Sequence, residues 1–185
     1  MIEPPLILAI GDSLVAGYGL HASDSFPAHL QASLQHQYSG VSVINAGVTG
    51  DTTADVVRRL PRLLSSLDRR PKLAIVQVGP NDVLRQVQAA RTRAQLEQIV
   101  LSLCNCGILV LLTTVEPPAF IRDRAAAYLG IHEELAVEHG ATVWPFFPPG
   151  VLGHSDMVLA DRVHPNAKAI SAVVAAMRLT VERML

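Results

Sequence analysis

The chain has 185 residues, half of them apolar, and only 4% of them are aromatic. This length and composition predict a single domain, residues 1–185, with a core built from aliphatic side chains. Fifteen basic and sixteen acidic residues leave a net charge of −1. Nucleic acid is therefore not expected as a partner, because binding to it needs a clear basic excess. The apolar runs are far shorter than the roughly 20 residues of a membrane span, so no stable membrane insertion is expected.

The amino terminus lacks a basic region followed by a long apolar run, which is the pattern of a secretory signal. The sequence as written is therefore expected to be cytoplasmic. A periplasmic or secreted location stays open if a signal has been removed. The sequence gives no indication of the oligomeric state.

Short apolar runs alternate along the chain with stretches of helical periodicity. The apolar runs predict strands at residues 6–10, 41–44, 73–78, 108–113 and 141–144. The periodic stretches predict helices at residues 26–38, 53–67, 95–106, 124–139 and 167–185. Pro61 lies inside the second of these helices, so a kink or two short helices are expected there. Residues 145–163 contain several prolines and glycines and are expected to be irregular.

The predicted strands are continuously apolar, which is typical of strands buried on both faces of a sheet. Strands separated by helices imply right-handed crossovers and a parallel sheet. The sequence therefore predicts an α/β fold: a three-layer α/β/α sandwich around a flavodoxin-like, doubly wound, five-stranded parallel sheet. In such sheets, ligands bind at the carboxyl ends of the strands.

Small and polar residues gather where the predicted strands end. The segments concerned read GDSL (11–14), NAGVTGD (45–51), GPND (79–82), TTVEPP (113–118) and, before the last helix, DRVHPN (161–166). Because the carboxyl ends of parallel strands meet at one edge of a sheet, these segments are expected to lie together there.

These residue types fit acyl transfer at a carbonyl carbon. Ser13 is the candidate nucleophile and His164 the candidate base, because a serine hydroxyl is weak until a base lies within hydrogen-bond reach. Asp161, three residues before His164, can hold the imidazole in one tautomer. The backbone N–H groups of Ser13 and Gly47 and the side-chain amide of Asn81 can form an oxyanion hole. Each residue also has a purely structural alternative: Ser13 as a turn residue, Gly47 as a turn glycine, and Asn81 or Asp161 as a cap.

In their order and wide spacing, the four blocks around Ser13, Gly47, Asn81 and His164 resemble those of the SGNH hydrolases, also called GDSL esterases/lipases. The stretches GDSLVAGYG, GDTTADVVRRLP and WPFF are most similar to the bacterial multifunctional thioesterase, lysophospholipase and arylesterase group. The resemblance implies a Ser-His-Asp triad, a three-donor oxyanion hole, acyl ester or thioester substrates, and no metal or organic cofactor. Pro80 stands where the family often has a glycine. It predicts a stiffer loop and an extended Gly79.

The leading interpretation is a carboxylic ester hydrolase that acts through an acyl-enzyme. Leu14, Leu84, Pro117 and Phe120 are candidates for lining the acyl site, although core packing explains such residues equally well. Two alternatives stay open. One is a catalytically silent module that binds acyl chains or lipids on the same fold. The other is a carbohydrate O-acetyl esterase, which the low aromatic content disfavours.

Overall fold

The computed structural model of the chain describes residues 3–185, apart from the side chain of Phe120. Its centre is a sheet of five parallel strands in the order β2-β1-β3-β4-β5. The strands are β1 (Leu6–Gly11), β2 (Ser42–Gly47), β3 (Leu73–Gln77), β4 (Leu109–Thr114) and β5 (Thr142–Pro145). This strand order is that of a doubly wound, flavodoxin-like sheet, so the predicted fold class is confirmed.

Eight α-helices connect or follow the strands within residues 3–185. They are α1 (Ser13–Ala16), α2 (Phe26–Leu34), α3 (Thr53–Ser65), α4 (Pro80–Leu84), α5 (Ala89–Asn105), α6 (Arg122–Ala125), α7 (Ile131–His139) and α8 (Ala167–Met184). Short 3-10 turns occupy Ala22–Asp24, Ala119–Ile121 and Ala126–Tyr128. In this described part of the chain, no helix combines the length and the apolar character that a membrane crossing requires.

The sheet is covered on both faces, because alternate side chains of each strand point in opposite directions. Ile7 and Ile75 lie in one core cluster, which also contains the apolar faces of α2 and α8. Leu8 and Val76 lie in the other cluster, with side chains of α3, α5 and α7. All four strand residues are at most 1% exposed. The result is the expected three-layer sandwich with an aliphatic core.

Two helix predictions differ from the structure in detail. The helix expected at residues 124–139 is broken: Leu129 is extended and Gly130 adopts a positive φ of 84° before α7 begins. Glycine adopts that conformation without the strain a side chain would bring, so it ends one segment and starts the next. The helix α3, in contrast, continues through Pro61. Pro61 lies on the exposed side of α3, and a capping box formed by Thr52 and Asp55 stabilises the start of the helix.

Candidate active site

The nucleophile candidate lies at the tip of strand β1, which is flanked by β2 and β3 in the sheet. Asp12 caps the short helix α1, and its Oδ1 accepts a hydrogen bond from the Leu14 N–H at 3.0 Å. Ser13 is the first residue of that helix and is half-buried. Gly11 lets the chain pass close to β3, because a Cβ there would lie 1.9 Å from the Gln77 carbonyl oxygen. Close packing of backbones therefore presents Ser13 at the carboxyl edge of the sheet.

A tight turn before α8 carries His164 and Asp161. Arg162, between them, has a positive φ of 58°, which turns the chain back on itself. Asp161 Oδ1 accepts the backbone N–H groups of Val163 and His164 at 2.9 and 3.0 Å. The other carboxylate oxygen, Oδ2, lies 2.7 Å from His164 Nδ1. A spacing of three residues thus brings the carboxylate to the imidazole, as expected from the sequence.

The structure brings these three side chains into one hydrogen-bonded chain. His164 Nε2 lies 3.0 Å from Ser13 Oγ, although the two residues are 151 positions apart. The hydrogen bond from the His164 ring, followed by those from the backbone N–H groups, lowers the pKa of Asp161 to about 2. An ionised Asp161 accepts the Nδ1–H, so Nε2 is left to accept the hydrogen of the Ser13 hydroxyl.

Asn81 lies in α4, directly beyond β3, and its side-chain amide points toward the nucleophile segment. Its Nδ2 donates to the Asp51 carbonyl oxygen at 2.9 Å and lies 3.5 Å from Asp12 Oδ2. An amide nitrogen carries two hydrogens, and a substrate oxygen can replace Asp12 Oδ2, the more distant of these two acceptors. The expected extended Gly79 is not found: its φ of 126° and ψ of −31° lie in a region that favours glycine. Pro80 is accommodated as the first residue of α4, where its missing N–H costs nothing.

The two backbone N–H groups expected in the oxyanion hole differ in their surroundings. Within residues 3–185, the Ser13 N–H has no hydrogen-bond acceptor. The Gly47 N–H, in contrast, donates to Asn45 Oδ1 at 3.0 Å. Asn45 is exposed, and its amide nitrogen donates to the Ala16 carbonyl at 3.3 Å. Gly47 can therefore donate to a substrate oxygen only if Asn45 releases or shares that N–H.

Buried acidic groups surround the oxyanion side of the site. Burial is the main cause that raises the pKa of Asp12 to about 7. The hydrogen bond from the Leu14 N–H lowers this pKa, and the charges of Asp51 and Asp82 raise it. The Asp51 carboxylate accepts from Arg59 Nε at 2.7 Å. Arg59 also donates to the Gly11 carbonyl at 3.1 Å, so it connects the first and second blocks.

Asp82, the residue after Asn81, has a structural role. It is fully buried and accepts the N–H and the hydroxyl hydrogen of Thr53 at 3.0 and 2.6 Å. Thr92 Oγ1 lies 3.3 Å from the same carboxylate. Asp82 therefore connects α3, α4 and α5 and holds the segment that carries Asn81.

The expected lining residues lie in different environments. Leu14 is 9% exposed and belongs to the core cluster beneath α1, whereas Leu84 is 51% exposed at the end of α4. Pro117 is half-buried beyond β4, and the side chain of Phe120 lies outside the described part of the structure. A role for these four residues in substrate binding stays a prediction.

Sequence reasoning overlooked three residues of the site: Tyr18, Asn45 and Arg59. The ring of Tyr18 packs on that of His164, with their centroids 4.4 Å apart. Asn45 and Arg59 flank the second block, so their closeness in sequence to Gly47 and Asp51 was an available signal. No comparable signal indicated that Tyr18 contacts His164, which lies 146 positions further along the chain.

One further cluster contains side chains of the types that bind metals. Glu97, Glu138 and His139 place one ligand atom each within 4.8 Å of one another. Arg93 donates to both carboxylate oxygens of Glu138 at 2.6 and 2.7 Å. These charges are thus already paired, and the cluster is an ion-pair network between α5 and α7.

Serine, histidine and aspartate form a hydrogen-bonded chain at the carboxyl edge of a doubly wound sheet, with an amide beside the serine. This combination of groups is typical of serine hydrolases, which transfer acyl groups.

The profile of the GDSL-like lipase/acylhydrolase family matches residues 9–169. The chain belongs to this family, which confirms the family and the enzyme class expected from the sequence. Esterase TesA of Pseudomonas aeruginosa is 32% identical over 164 residues, which cover 88% of this chain and 81% of the relative. Thioesterase 1/protease 1/lysophospholipase L1 of Escherichia coli K12 is 35% identical over 164 residues, covering 88% and 76% of the two chains.

Solved structures show the same similarity over nearly the whole chain. The crystal structure of TesA superposes with a TM-score of 0.89 at 30% identity, covering 97% of this chain and 99% of that one. The SGNH-hydrolase family esterase AlinE4 superposes with a TM-score of 0.80 at 38% identity, covering 100% and 98%.

Proposed function

We propose that the protein hydrolyses acyl esters or thioesters through an acyl-enzyme, with Ser13, His164 and Asp161 as its catalytic triad. The observation that carries this proposal is the continuous hydrogen-bonded chain from Ser13 Oγ through the imidazole to the Asp161 carboxylate, at 3.0 and 2.7 Å. These distances are within the reach that proton transfer between a nucleophile and its base requires.

In the proposed mechanism, Ser13 Oγ attacks the acyl carbonyl carbon while His164 Nε2 takes the hydroxyl proton. The resulting imidazolium is stabilised by Asp161, which stays ionised throughout. His164 then gives the proton to the leaving oxygen or sulfur, and the acyl group remains on Ser13. A water molecule repeats the sequence: its oxygen attacks the acyl carbon while His164 Nε2 takes a proton from it. The bond between that carbon and Ser13 Oγ then breaks, Oγ receives the proton from His164, and the carboxylic acid leaves.

The oxyanion of each tetrahedral intermediate would be bound by Asn81 Nδ2 and the Ser13 N–H. Asn81 is suited to this because the Asp51 carbonyl already holds its amide in place at 2.9 Å. The Gly47 N–H would join when the substrate oxygen replaces Asn45 Oδ1 as its acceptor. A fixed donor needs no reorganisation as charge develops, which is why such groups lower the barrier.

The proposed substrate class rests on the family and on the names of the relatives. The names of the relatives include esterase, thioesterase and lysophospholipase. We propose that this chain shares a preference for small acyl esters or thioesters. In this proposal the exposed Leu84 and the half-buried Pro117 would contact the acyl chain, while Leu14, which is 9% exposed, packs in the core beneath α1.

The decisive experiment compares the wild type with Ser13→Ala on nitrophenyl esters of increasing acyl length and on an acyl thioester. Ser102→Ala is the matched control, because Ser102 is also a half-buried serine and its hydroxyl donates to the Gln98 carbonyl within α5. We expect Ser13→Ala to lose on the order of 10³-fold or more in kcat with an unchanged Tm. Full activity in folded Ser13→Ala would contradict the triad. A wild type that turns over no ester and resists fluorophosphonate would favour the binding-module alternative.

The assigned role of Asn81 gives a second prediction. Asn81→Ala removes one donor to the oxyanion, so kcat should fall on the order of 10²–10³-fold while KM changes little. Steady-state kinetics on one nitrophenyl ester, with circular dichroism as the folding control, would measure this. A folded Asn81→Ala protein with wild-type kcat would exclude the oxyanion role.

A further inference from the structure

An aromatic ring lies against the imidazole of the proposed catalytic base. The ring centroids of Tyr18 and His164 are 4.4 Å apart, and the planes are inclined by 38°. The side chain of Tyr18 is 48% exposed, so it covers the imidazole from the solvent side without being part of the core. Among the hydrogen bonds of residues 3–185, the Tyr18 hydroxyl takes part in none, which indicates that the ring makes the contact.

The position of Tyr18 is set by the nucleophile segment itself. The N–H groups of Gly17 and Tyr18 both donate to the Ser13 carbonyl, each at 3.1 Å. Gly17 adopts a positive φ of 81°, which ends α1 and directs the chain toward the turn that carries His164. The backbone of the nucleophile thus determines where the aromatic ring lies.

A second contact joins the same two segments. A Cβ at Gly19 would lie 2.6 Å from Leu159 Cδ1, so these two segments of the chain are in contact. The N–H of Leu159 donates to the His164 carbonyl at 2.8 Å. The loop after α1 therefore contacts the side chain of Leu159, a residue that is hydrogen-bonded to the backbone of His164.

His164 needs such support because its own segment has little regular structure. Between β5 and α8, the described pairing is a single bridge between Val158 and Pro165. A half-buried imidazole on an irregular segment can leave both of its hydrogen-bond partners by a rotamer change. A ring packed on its face removes space for that change and so favours the productive rotamer.

We propose that Tyr18 is a positioning residue, whose aromatic ring holds the His164 imidazole in the rotamer that connects Ser13 with Asp161. The proposal rests on the proposed function, since it assigns His164 the role of base and acid. The ring acts through packing, so phenylalanine should replace tyrosine, whereas a small side chain should not.

Kinetics with two leaving groups test this role. Tyr18→Phe, Tyr18→Ala and the matched exposed control Leu179→Ala, on α8, are compared on ethyl and nitrophenyl esters of the same acid. We expect kcat/KM of Tyr18→Ala to fall about tenfold or more on the ethyl ester, because a misplaced acid delivers its proton poorly. The fall should be smaller on the nitrophenyl ester, whose leaving group departs as a stable anion. Tyr18→Phe and Leu179→Ala should stay within about twofold of the wild type.

Three kinetic results would overturn the proposal. Wild-type rates in Tyr18→Ala would show that the ring is not needed. An equal loss in Tyr18→Phe would assign the effect to the hydroxyl group. A rise in KM with equal losses on both esters would indicate a substrate contact.

A readout that does not depend on turnover separates this proposal from the proposed function. In protein with ¹⁵N-labelled histidine, the hydrogen-bonded Nδ1 proton of His164 should be observable by NMR in the wild type and in Tyr18→Phe. It should be lost through exchange with solvent in Tyr18→Ala. An unchanged signal in Tyr18→Ala would contradict the positioning role, whether or not Ser13 proves to be the nucleophile.

Discussion

At the scale of single residues, Asp12 has an unusual pKa for an aspartate. It directly precedes Ser13, is 1% exposed, and lies near the carboxylates of Asp51 and Asp82. Burial is the main cause that raises its pKa to about 7. At neutral pH the carboxyl group is thus partly protonated, next to the amide of Asn81. A neutral group there places less negative charge beside a developing oxyanion than a carboxylate would.

Asp12 should make the stability of the protein depend on pH. Its folded-state pKa exceeds its unfolded value, so the native state binds more protons between about pH 4 and pH 7. The free energy of unfolding should therefore fall as the pH rises through this window, by up to about 4 kcal/mol from this group. Urea unfolding of the wild type and Asp12→Asn at several pH values would measure it. Asparagine keeps the oxygen that caps Leu14 and cannot titrate.

The expected outcome is that Asp12→Asn becomes progressively more stable relative to the wild type between pH 4 and pH 7. Two curves that remain parallel over this range would show that Asp12 titrates at an ordinary pKa.

At the scale of elements, two glycines allow α1 to pack against the end of the sheet. Gly11 and Gly47 are register partners on β1 and β2. A Cβ at Gly47 would lie 2.1 Å from the Ala16 backbone nitrogen, which leaves no room for a side chain. The resemblance to the family indicated a functional role for Gly47, but the packing reason is visible only in three dimensions.

Replacement of Gly47 should cost stability for this steric reason. Gly47→Ala must displace backbone, so we expect a loss of about 3 kcal/mol in the free energy of unfolding. Gly140→Ala is the control: its φ of 68° strains alanine, but no atom lies within 4 Å of the added carbon. That strain alone costs about 1–2 kcal/mol. Urea unfolding would measure the free energy of unfolding of both variants. If Gly47→Ala were at least as stable as Gly140→Ala, the packing argument would be refuted.

At the scale of the whole molecule, a rigid sheet supports a site whose parts come from separate connections. The nucleophile follows β1, the amide follows β3, and the base precedes α8. Only the last of these lies beyond a long irregular segment, residues 146–166, with few backbone hydrogen bonds. We therefore expect the free energy of local opening to be high around Ser13 and Asn81 and lower around His164.

Native-state hydrogen exchange would reveal this difference. Amides of the buried strands β1 and β3 should exchange only by global unfolding. Amides of residues 148–156, where Pro148 and Pro149 have no N–H, should exchange through local opening at much lower free energy. The free energy of unfolding from urea provides the reference. If residues 148–156 exchanged as slowly as β1, the segment of His164 would be part of the cooperative core.

The sequence by itself determined the fold class, the five strands and the candidate groups Ser13, Asn81, Asp161 and His164. Those features depend on local signals: apolar runs, turn residues at strand ends, and a carboxylate three positions before a histidine. Only the tertiary structure decided that Asn45 takes the Gly47 N–H, that burial raises the pKa of Asp12, and that Tyr18 packs on His164. These features arise from contacts between segments distant in sequence, and no local pattern specifies which surfaces meet when the chain folds.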